Sequence, residues 1–299
     1  MRLVRDYTPQ PEGNKLFRTA LIITIAGNLV LAAIKGVAAY YSGSVALYSD
    51  AANSISDVLY SILLIVGLWM SMRPPDLSHP QGHGRYEPLV GLLVAFSMAF
   101  AGYEAGRNSI TRFLEGGLAI EPGLPSVVLV FSAAVKVGMF YAIRNISRKV
   151  RSPTLGTTAQ DNLNDVITSM AAFVGALGSS LIHPLMDAIA GFLVALFIFR
   201  SAFRAAREHL EFLTGHGASA ELRQKIIETT EAVPGVLKVH HLMTDYSGPR
   251  MVVDMHINVN GETKLRDTHE ITDQIIENLE KIPEIDRVYV HVEPDDWED

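Results

Sequence analysis

Two pairs of polar side chains interrupt segments of the chain that are otherwise apolar. Asn53 and Asp57 form one pair, and Asp161 and Asp165 form the other. Each pair has the i, i+4 spacing that places both side chains on one face of a helix. Two such helices side by side could bring an amide oxygen and three carboxylates around one point. A ligand set made of oxygen atoms favours hard cations such as Mn²⁺, Mg²⁺ or Ca²⁺ over Zn²⁺.

These residues also have a structural alternative. They could lie at helix ends, or they could form ion pairs with Lys35 and Lys136. Two matched pairs favour a site, because charged groups at bilayer depth are costly and usually mark an ion or proton path. Asp50, three residues before Asn53, could be a further ligand or a solvated carboxylate near the site.

A second candidate site lies in the short polar stretch 74–85. Asp76, His79 and His83 have the spacing D-x-x-H-x-x-x-H. Pro80 and the neighbouring glycines exclude a regular helix here, so the three side chains could surround one ion as loop ligands. The alternative is a polar turn with solvated histidines.

Residues 219–299, less than a third of the chain, hold five of its ten histidines. This enrichment favours metal binding, although a surface position is the alternative for any single histidine. The predicted ligands, which could converge on one site, are His240, His256, His269, His291 and Glu293.

The composition indicates a membrane protein. Hydrophobic residues make up 48% of the 299 residues and charged residues 19%, and the mean hydropathy is +0.21. A chain without cysteine has no disulfides or thiolate metal ligands, and its net charge of −7 argues against nucleic-acid binding. A bilayer core of about 30 Å needs about 20 mostly apolar residues per helix. Six spans are predicted, at 16–41, 44–72, 86–114, 124–147, 155–181 and 184–209.

The distribution of charge predicts both the orientation and the division into domains. Lys and Arg lie mainly before the first span, in the second and fourth connections and after the sixth span, so both termini are expected to be cytoplasmic. Residues 1–212 hold 17 Lys/Arg and 14 Asp/Glu, whereas residues 213–299 hold 8 and 18. We therefore predict a cytoplasmic segment at 1–14, a six-helix transmembrane domain at 15–212 and a cytoplasmic domain at 213–299. The cytoplasmic domain is predicted to be a small α+β domain of order αββαβ, with its helices on one face of a three-stranded sheet.

Together these motifs resemble the cation diffusion facilitator family of divalent-metal transporters. The resemblance extends from Lys15 to Pro294. It is carried by Gly43-Ser44-Val45 before Asn53-x-x-x-Asp57, by Asp76-x-x-His79-Pro-x-Gly82-His83-Gly84-Arg85, by Asp161-Asn162-x-x-Asp165, by Pro234-Gly235-Val236 with His240, and by Ser247-Gly248-Pro249 with His256. It implies that the paired residues of the second and fifth helices form the transport site, that the 76–83 loop forms a second site, and that the histidine-rich domain binds structural or regulatory metal near a homodimer interface. It also implies export from the cytoplasm in exchange for protons, across the lipid bilayer of a bacterial inner (plasma) membrane.

Two residues set this chain apart from the zinc-transporting members. Those members usually have His where this chain has Asp161, and often Asp or His where it has Asn53. The pattern therefore resembles the manganese-transporting branch. The expected cargo is Mn²⁺, with Zn²⁺ or Fe²⁺ export and a membrane metal sensor without transport as alternatives. The chain carries neither a phosphate-binding G-x-x-x-x-G-K-[ST] loop nor an H-E-x-x-H motif, so no enzymatic activity and no resident cofactor are expected.

Overall fold

The computed structural model describes residues 4, 11–42, 45–117 and 124–295, and it contains the six long helices and the αββαβ order predicted from the sequence. The long helices are α1 (Pro11–Ser42), α2 (Val45–Ser71), α3 (Tyr86–Leu114), α4 (Leu124–Val150), α5 (Pro153–Leu181) and α6 (Met186–Leu213). They are followed by α7 (Ala220–Glu231), β1 (Val236–Tyr246), β2 (Met251–Val259), α8 (Leu265–Glu280) and β3 (Ile285–Pro294). The chain divides into two compact units, a helical unit of residues 1–210 and a C-terminal unit of residues 211–299.

Within the part of the chain that the structure describes, four helical segments are long and apolar enough to cross a membrane: Gly13–Ala38, Tyr86–Leu114, Val127–Val150 and Met186–Leu213. The apolar stretch of α2, Asp57–Ser71, is shorter. Helix α5 is long enough, but its first half is rich in Thr, Asn and Asp. Several of these polar side chains are buried, including Thr154, Thr158, Asn162 and Asn164. Helix α5 therefore turns polar groups toward the other helices, which is where polar groups are tolerated in a membrane protein.

One apolar core holds the helical unit together. All six helices contribute buried side chains to it, among them Ala20, Leu64, Val94, Ile143, Leu155 and Ala202. Helices α2 and α3 approach closely at Gly67, where an added Cβ atom would lie 1.8 Å from Cγ2 of Val90. Small residues allow such close packing of membrane helices. This packing places the polar side chains of α2, α4 and α5 inside the unit.

The C-terminal unit is a three-stranded sheet with both helices on one face. Strand β2 is central, antiparallel to β1 and parallel to β3, because α8 provides the crossover between β2 and β3. Alternate residues of β2, such as Met255 and Ile257, are buried against Ile226 of α7 and Ile275 of α8. Residues between them, including His256, project from the opposite face. The histidine-rich side of the sheet is thus the side that α7 and α8 leave uncovered.

Candidate metal centre

Three carboxylates of the helical unit lie around one buried lysine. Asp57 is in the middle of α2, and Asp161 and Asp165 lie one turn apart in the first half of α5. Lys136 of α4 is 5% exposed. Its Nζ atom lies 3.2 Å from Oδ2 of Asp57 and 2.6 Å from Oδ2 of Asp165, and its charge also acts on Asp161. Helices α2 and α5 therefore present their carboxylates to the same point, and α4 supplies a cation there.

This geometry bears on the alternatives that the sequence left open. None of the three carboxylates lies at a helix end. The ion pairs with Lys136 are present, and Lys35 of α1, which is also buried, exerts its charge on Asp57. The side chains of Asn53 and Asp50 lie outside the described residues. The structure therefore describes three of the four predicted ligands of this site, and two of them, Asp57 and Asp165, form ion pairs with Lys136.

Asp57 and Asp161 line a small cavity of about 30 Å³, which has room for one or two water molecules. Most of the other lining side chains are hydroxyl or amide groups: Thr24, Asn28, Tyr60, Ser61, Ser97, Thr158 and Asn162, with Leu64 and Val94. The amide oxygens of Asn28 and Asn162 are buried, and in the described part of the chain neither has a hydrogen-bond partner. They can accept a hydrogen bond from water or coordinate a cation.

The amide groups of this cavity are held in place by their nitrogen atoms. Nδ2 of Asn28 donates to Oγ of Ser61 over 2.9 Å, and Nδ2 of Asn162 donates to the carbonyl oxygen of Thr158 over 2.8 Å. Each amide is therefore oriented by its donor side, and its oxygen remains available. The cavity offers oxygen donors, and none of the side chains described as lining it is an imidazole or a thioether.

The loop between α2 and α3 brings together all three of its predicted ligands. Nδ1 of His79 lies 3.4 Å from Oδ1 of Asp76, and Nε2 of His83 lies 3.4 Å from Oδ2 of the same residue. The two imidazole rings have centroids 4.4 Å apart. Gly82 has φ +94°, a conformation that favours glycine, and this turn brings His83 back toward Asp76. One carboxylate and two imidazoles can coordinate a single divalent cation.

Local hydrogen bonding favours the ionised form of the Asp76 carboxyl group, which is the form that binds metal. The backbone N–H of His79 donates to Oδ1 of Asp76 over 2.7 Å, and this hydrogen bond lowers the pKa of the Asp76 carboxyl below its usual range. The imidazole of His83 lowers it further. Asp76 therefore stays ionised throughout the pH range in which histidines titrate.

A second group of possible ligands lies on the uncovered face of the C-terminal sheet. Nε2 of His240 is 3.0 Å from Oε2 of Glu293, and Nδ1 of His256 is 3.2 Å from Oε1 of Glu293. Nε2 of His291 is 3.5 Å from the same Oε1 atom. Ligand atoms of the first three residues lie within 4.8 Å of one another, close enough to share one ion. Glu293 is the common partner of this group.

A β-bulge brings a further histidine, His241, to this group, although the sequence did not predict it as a ligand. The register of β1 against β2 shifts between Val239 and His241, so His241 lies opposite His256 while His240 also reaches Glu293. The rings of His241 and His256 have centroids 4.8 Å apart. Strict alternation along β1 would have placed His240 and His241, which are adjacent in sequence, on opposite faces of the sheet. Only their position side by side in a histidine-rich segment could have suggested that both lie near Glu293.

His269 lines an open pocket together with Glu293, but no ion pair joins it to the predicted ligands of this group in the described residues. It is an exposed residue of α8, and its Nδ1 atom is 3.7 Å from Oδ1 of Asp273, one helical turn further along. Helix α8 packs on the face of the sheet opposite to His256. Ligation by His269 therefore stays a prediction from the sequence, without a contact to Glu293 or the other histidines of the group.

Comparisons with known proteins place both units in one family. The family model described as the cation efflux transmembrane domain matches residues 21–214, and the model described as the cation efflux protein, cytoplasmic domain, matches residues 218–295. An uncharacterized transporter of Methanocaldococcus jannaschii is 32% identical and covers 91% of this chain and 96% of its own. The manganese efflux system protein MneS of Bacillus subtilis is 27% identical, and the match covers 91% of this chain and 94% of MneS. The solved structure MamM-CTD 215-293 is 33% identical over 25% of this chain and 95% of its own, with a TM-score of 0.24.

The loop geometry predicts metal binding that depends on the protonation of its histidines. We expect the full-length protein to bind one fewer equivalent of Zn²⁺ when His83 is replaced (His83→Ala), because the mutation removes the buried imidazole of the loop. In the parent, this equivalent should be lost in acid, because protonated imidazole cannot coordinate metal, while the lowered pKa of Asp76 keeps its carboxylate ionised. Equilibrium dialysis at several pH values measures both effects.

His183→Ala is the matched control, because His183 is an exposed histidine of the same helical unit, outside this loop. It should bind as many equivalents as the parent. Equal Zn²⁺ stoichiometry in His83→Ala and His183→Ala would show that the loop does not bind the ion.

Proposed function

The chain belongs to the cation efflux family and is a membrane transporter of divalent metal cations rather than an enzyme; from this premise we propose that it exports Mn²⁺ from the cytoplasm in exchange for protons. The observation that carries this proposal is the convergence of Asp57, Asp161 and Asp165 beside a cavity lined with oxygen atoms. A cation held there would meet carboxylate and amide oxygens of α1, α2 and α5. We propose Asn53 as a further oxygen ligand of this transport site.

The choice of Mn²⁺ rests on the chemistry of these donors. Mn²⁺ accepts carboxylate, amide and water oxygens, whereas Zn²⁺ gains from nitrogen or sulfur ligands and four-coordination. Asp161 stands where zinc-transporting relatives usually have His, so this site lacks the imidazole that would favour Zn²⁺. Similarity to MneS, named as a manganese efflux protein, supports the same choice. Export of Zn²⁺ or Fe²⁺ is the alternative within the family.

Proton exchange follows from competition for the same oxygens. A carboxylate binds metal only when it is deprotonated, so a proton and a metal ion exclude each other at the same oxygen atom. Protons that enter from the outer side would therefore displace the metal outward, and loss of these protons to the cytoplasm would restore the binding site. The three carboxylates around Lys136 are the groups we propose for this exchange.

We further propose that the protein is a homodimer in a bacterial inner (plasma) membrane, with both termini in the cytoplasm. Residues 15–212 would form its transmembrane domain, and residues 213–299 a cytoplasmic domain that senses metal. The group formed by His240, His256, His291 and Glu293 would bind the regulatory ion, with His269 as a further candidate. The cytoplasmic domain carries a net charge of −10 and repels its copy, so bound cations would favour dimer contacts.

Loss of any one transport-site carboxylate should abolish export. We expect Asp57→Ala, Asp161→Ala and Asp165→Ala each to reduce Mn²⁺ flux by at least about tenfold, because each change removes a charged ligand. Flux into proteoliposomes, driven by a pH gradient, measures this directly. Glu115→Ala, which removes an exposed carboxylate of the same helical unit, should transport like the parent.

Two outcomes of this experiment would contradict the proposal. Near-normal flux in one carboxylate variant would remove that residue from the site. A parent protein that binds Mn²⁺ without moving it would favour the alternative of a metal sensor.

Selectivity provides a separate prediction. Asp161→His should raise transport of Zn²⁺ relative to Mn²⁺ by about tenfold, or about 1.4 kcal/mol, because the substitution supplies the nitrogen ligand that Zn²⁺ prefers. Competition flux with both metals present, in parent and variant, measures the ratio. An unchanged ratio would show that Asp161 does not set selectivity, and a parent that already prefers Zn²⁺ would contradict the choice of Mn²⁺.

A further inference from the structure

We propose that the ammonium group of Lys136 is a tethered competitor of the transported metal: it neutralises the transport site when the site is empty and must leave the carboxylates when metal binds. This inference rests on the proposed function, because it concerns the same site and the same cargo. It adds to that site a residue that is not a ligand and that would set how tightly the cargo is held.

The contacts of Lys136 carry the inference. Its Nζ atom lies 2.6 Å from Oδ2 of Asp165 and 3.2 Å from Oδ2 of Asp57, so it bridges the two helices that provide the carboxylates. The side chain comes from a third helix, α4, and only 5% of it is exposed. A buried ammonium group is stable only beside anionic partners, and these carboxylates in turn need a cation within the membrane. Lys136 therefore fills the role that a metal ion would have at this position.

Metal and ammonium compete for the same oxygen atoms. A divalent cation that coordinates Oδ2 of Asp57 or Asp165 would lie about 2 Å from that oxygen. With Lys136 in its present position, the ion and the ammonium group would be neighbours of like charge, and their repulsion is strong where water is scarce. The flexible four-carbon stem of lysine allows the ammonium group to withdraw. Binding of metal therefore requires displacement of Lys136, and return of Lys136 favours release of metal.

This competition has a consequence for the transport cycle. Without Lys136, the oxygen atoms of Asp57 and Asp165 would hold the ion without the ammonium group that contacts them, and binding would be tighter. Release would then be slower, and the emptied site would have lost one of its two neighbouring buried cations, leaving Lys35 of α1. Lys136 thus lowers the affinity for Mn²⁺ and speeds transport. Its removal should therefore raise the affinity and lower the flux.

Replacement of the charge tests the proposal. We expect Lys136→Gln to lower the Kd for Mn²⁺ by about tenfold and to reduce Mn²⁺ flux by about tenfold. The Kd is measured on the full-length protein by titration with Mn²⁺, in a background that carries His83→Ala and His256→Ala so that the other two candidate centres do not contribute. Flux is measured in proteoliposomes. Lys149→Gln, which removes the same charge from an exposed position of the same helix, should leave both quantities unchanged.

A second pair of variants keeps the test decisive if Lys136→Gln folds poorly. Asp165→Asn with Lys136→Gln removes both charges of the 2.6 Å pair, so no unpaired lysine or aspartate of that pair remains. This double variant should bind Mn²⁺ more tightly than Asp165→Asn alone, by about tenfold. Lys136→Arg, which keeps a cation at the site, should bind Mn²⁺ with a Kd close to that of the parent.

The possible results separate this inference from the proposed function. A parent that neither binds nor transports Mn²⁺ would refute the proposed function. A parent that does both, with a Lys136→Gln variant whose Kd is equal to or weaker than that of the parent, would refute the role of Lys136. Weaker binding is the result expected if Lys136 only stabilises the fold.

Discussion

A carboxylate in the middle of a membrane helix needs a cation beside it, and the helical unit is organised around this need. Asp57, Asp161 and Asp165 are half-buried residues in the interior of helices that pack against an apolar core, where charged groups are costly. Lys136 reaches two of them within 3.2 Å. We propose that a proton, an ammonium group or a metal ion can each neutralise these carboxylates, and that transport consists of replacing one of them by another in order.

The neighbouring helices surround this polar cluster with further hydrogen-bonding groups. Several polar side chains of α5 form hydrogen bonds with the backbone of the same helix. The hydroxyl of Thr158 donates to the carbonyl oxygen of Thr154, and the amide of Asn162 donates to the carbonyl oxygen of Thr158. His209 of α6 is fully buried and lies 2.8 Å from the hydroxyl of Thr157. Such local hydrogen bonds remove most of the cost of buried polar groups. The oxygen atoms of Asn28 and Asn162, in contrast, remain available next to the carboxylates.

The sequence was sufficient for the architecture because its signals are local. Apolar runs with flanking Lys and Arg predicted the six helices, and the switch to alternating residues after Pro234 predicted the strands of the C-terminal unit. The spacing of the carboxylates within each helix was equally visible. The sequence offered ion pairs with Lys136 only as an alternative, because the pairing depends on how α4 is rotated against α2 and α5, and helix spacing carries no information about that rotation.

Other features lay beyond the sequence for similar reasons. The bulge in β1 cancels the alternation from which faces are predicted, so His241 was missed. Helix α8 packs on the face away from His256, so the enrichment in histidine did not show that His269 lies on a different element face from the other histidines. Arg112 of α3 pairs with Asp187 of α6, a contact between residues 75 positions apart in sequence. Each of these depends on tertiary packing.

The most direct test of this account is a structure of the full-length protein determined with and without Mn²⁺, with the metal located by its anomalous scattering. The account predicts Mn²⁺ bound between Asp57, Asp161 and Asp165, with the Nζ atom of Lys136 withdrawn from both Oδ2 atoms beyond ion-pair distance. In the metal-free protein, the contacts of Lys136 with Asp57 and Asp165 should be present. Saturating Mn²⁺ that leaves Lys136 in contact with both carboxylates and no metal beside them would contradict it.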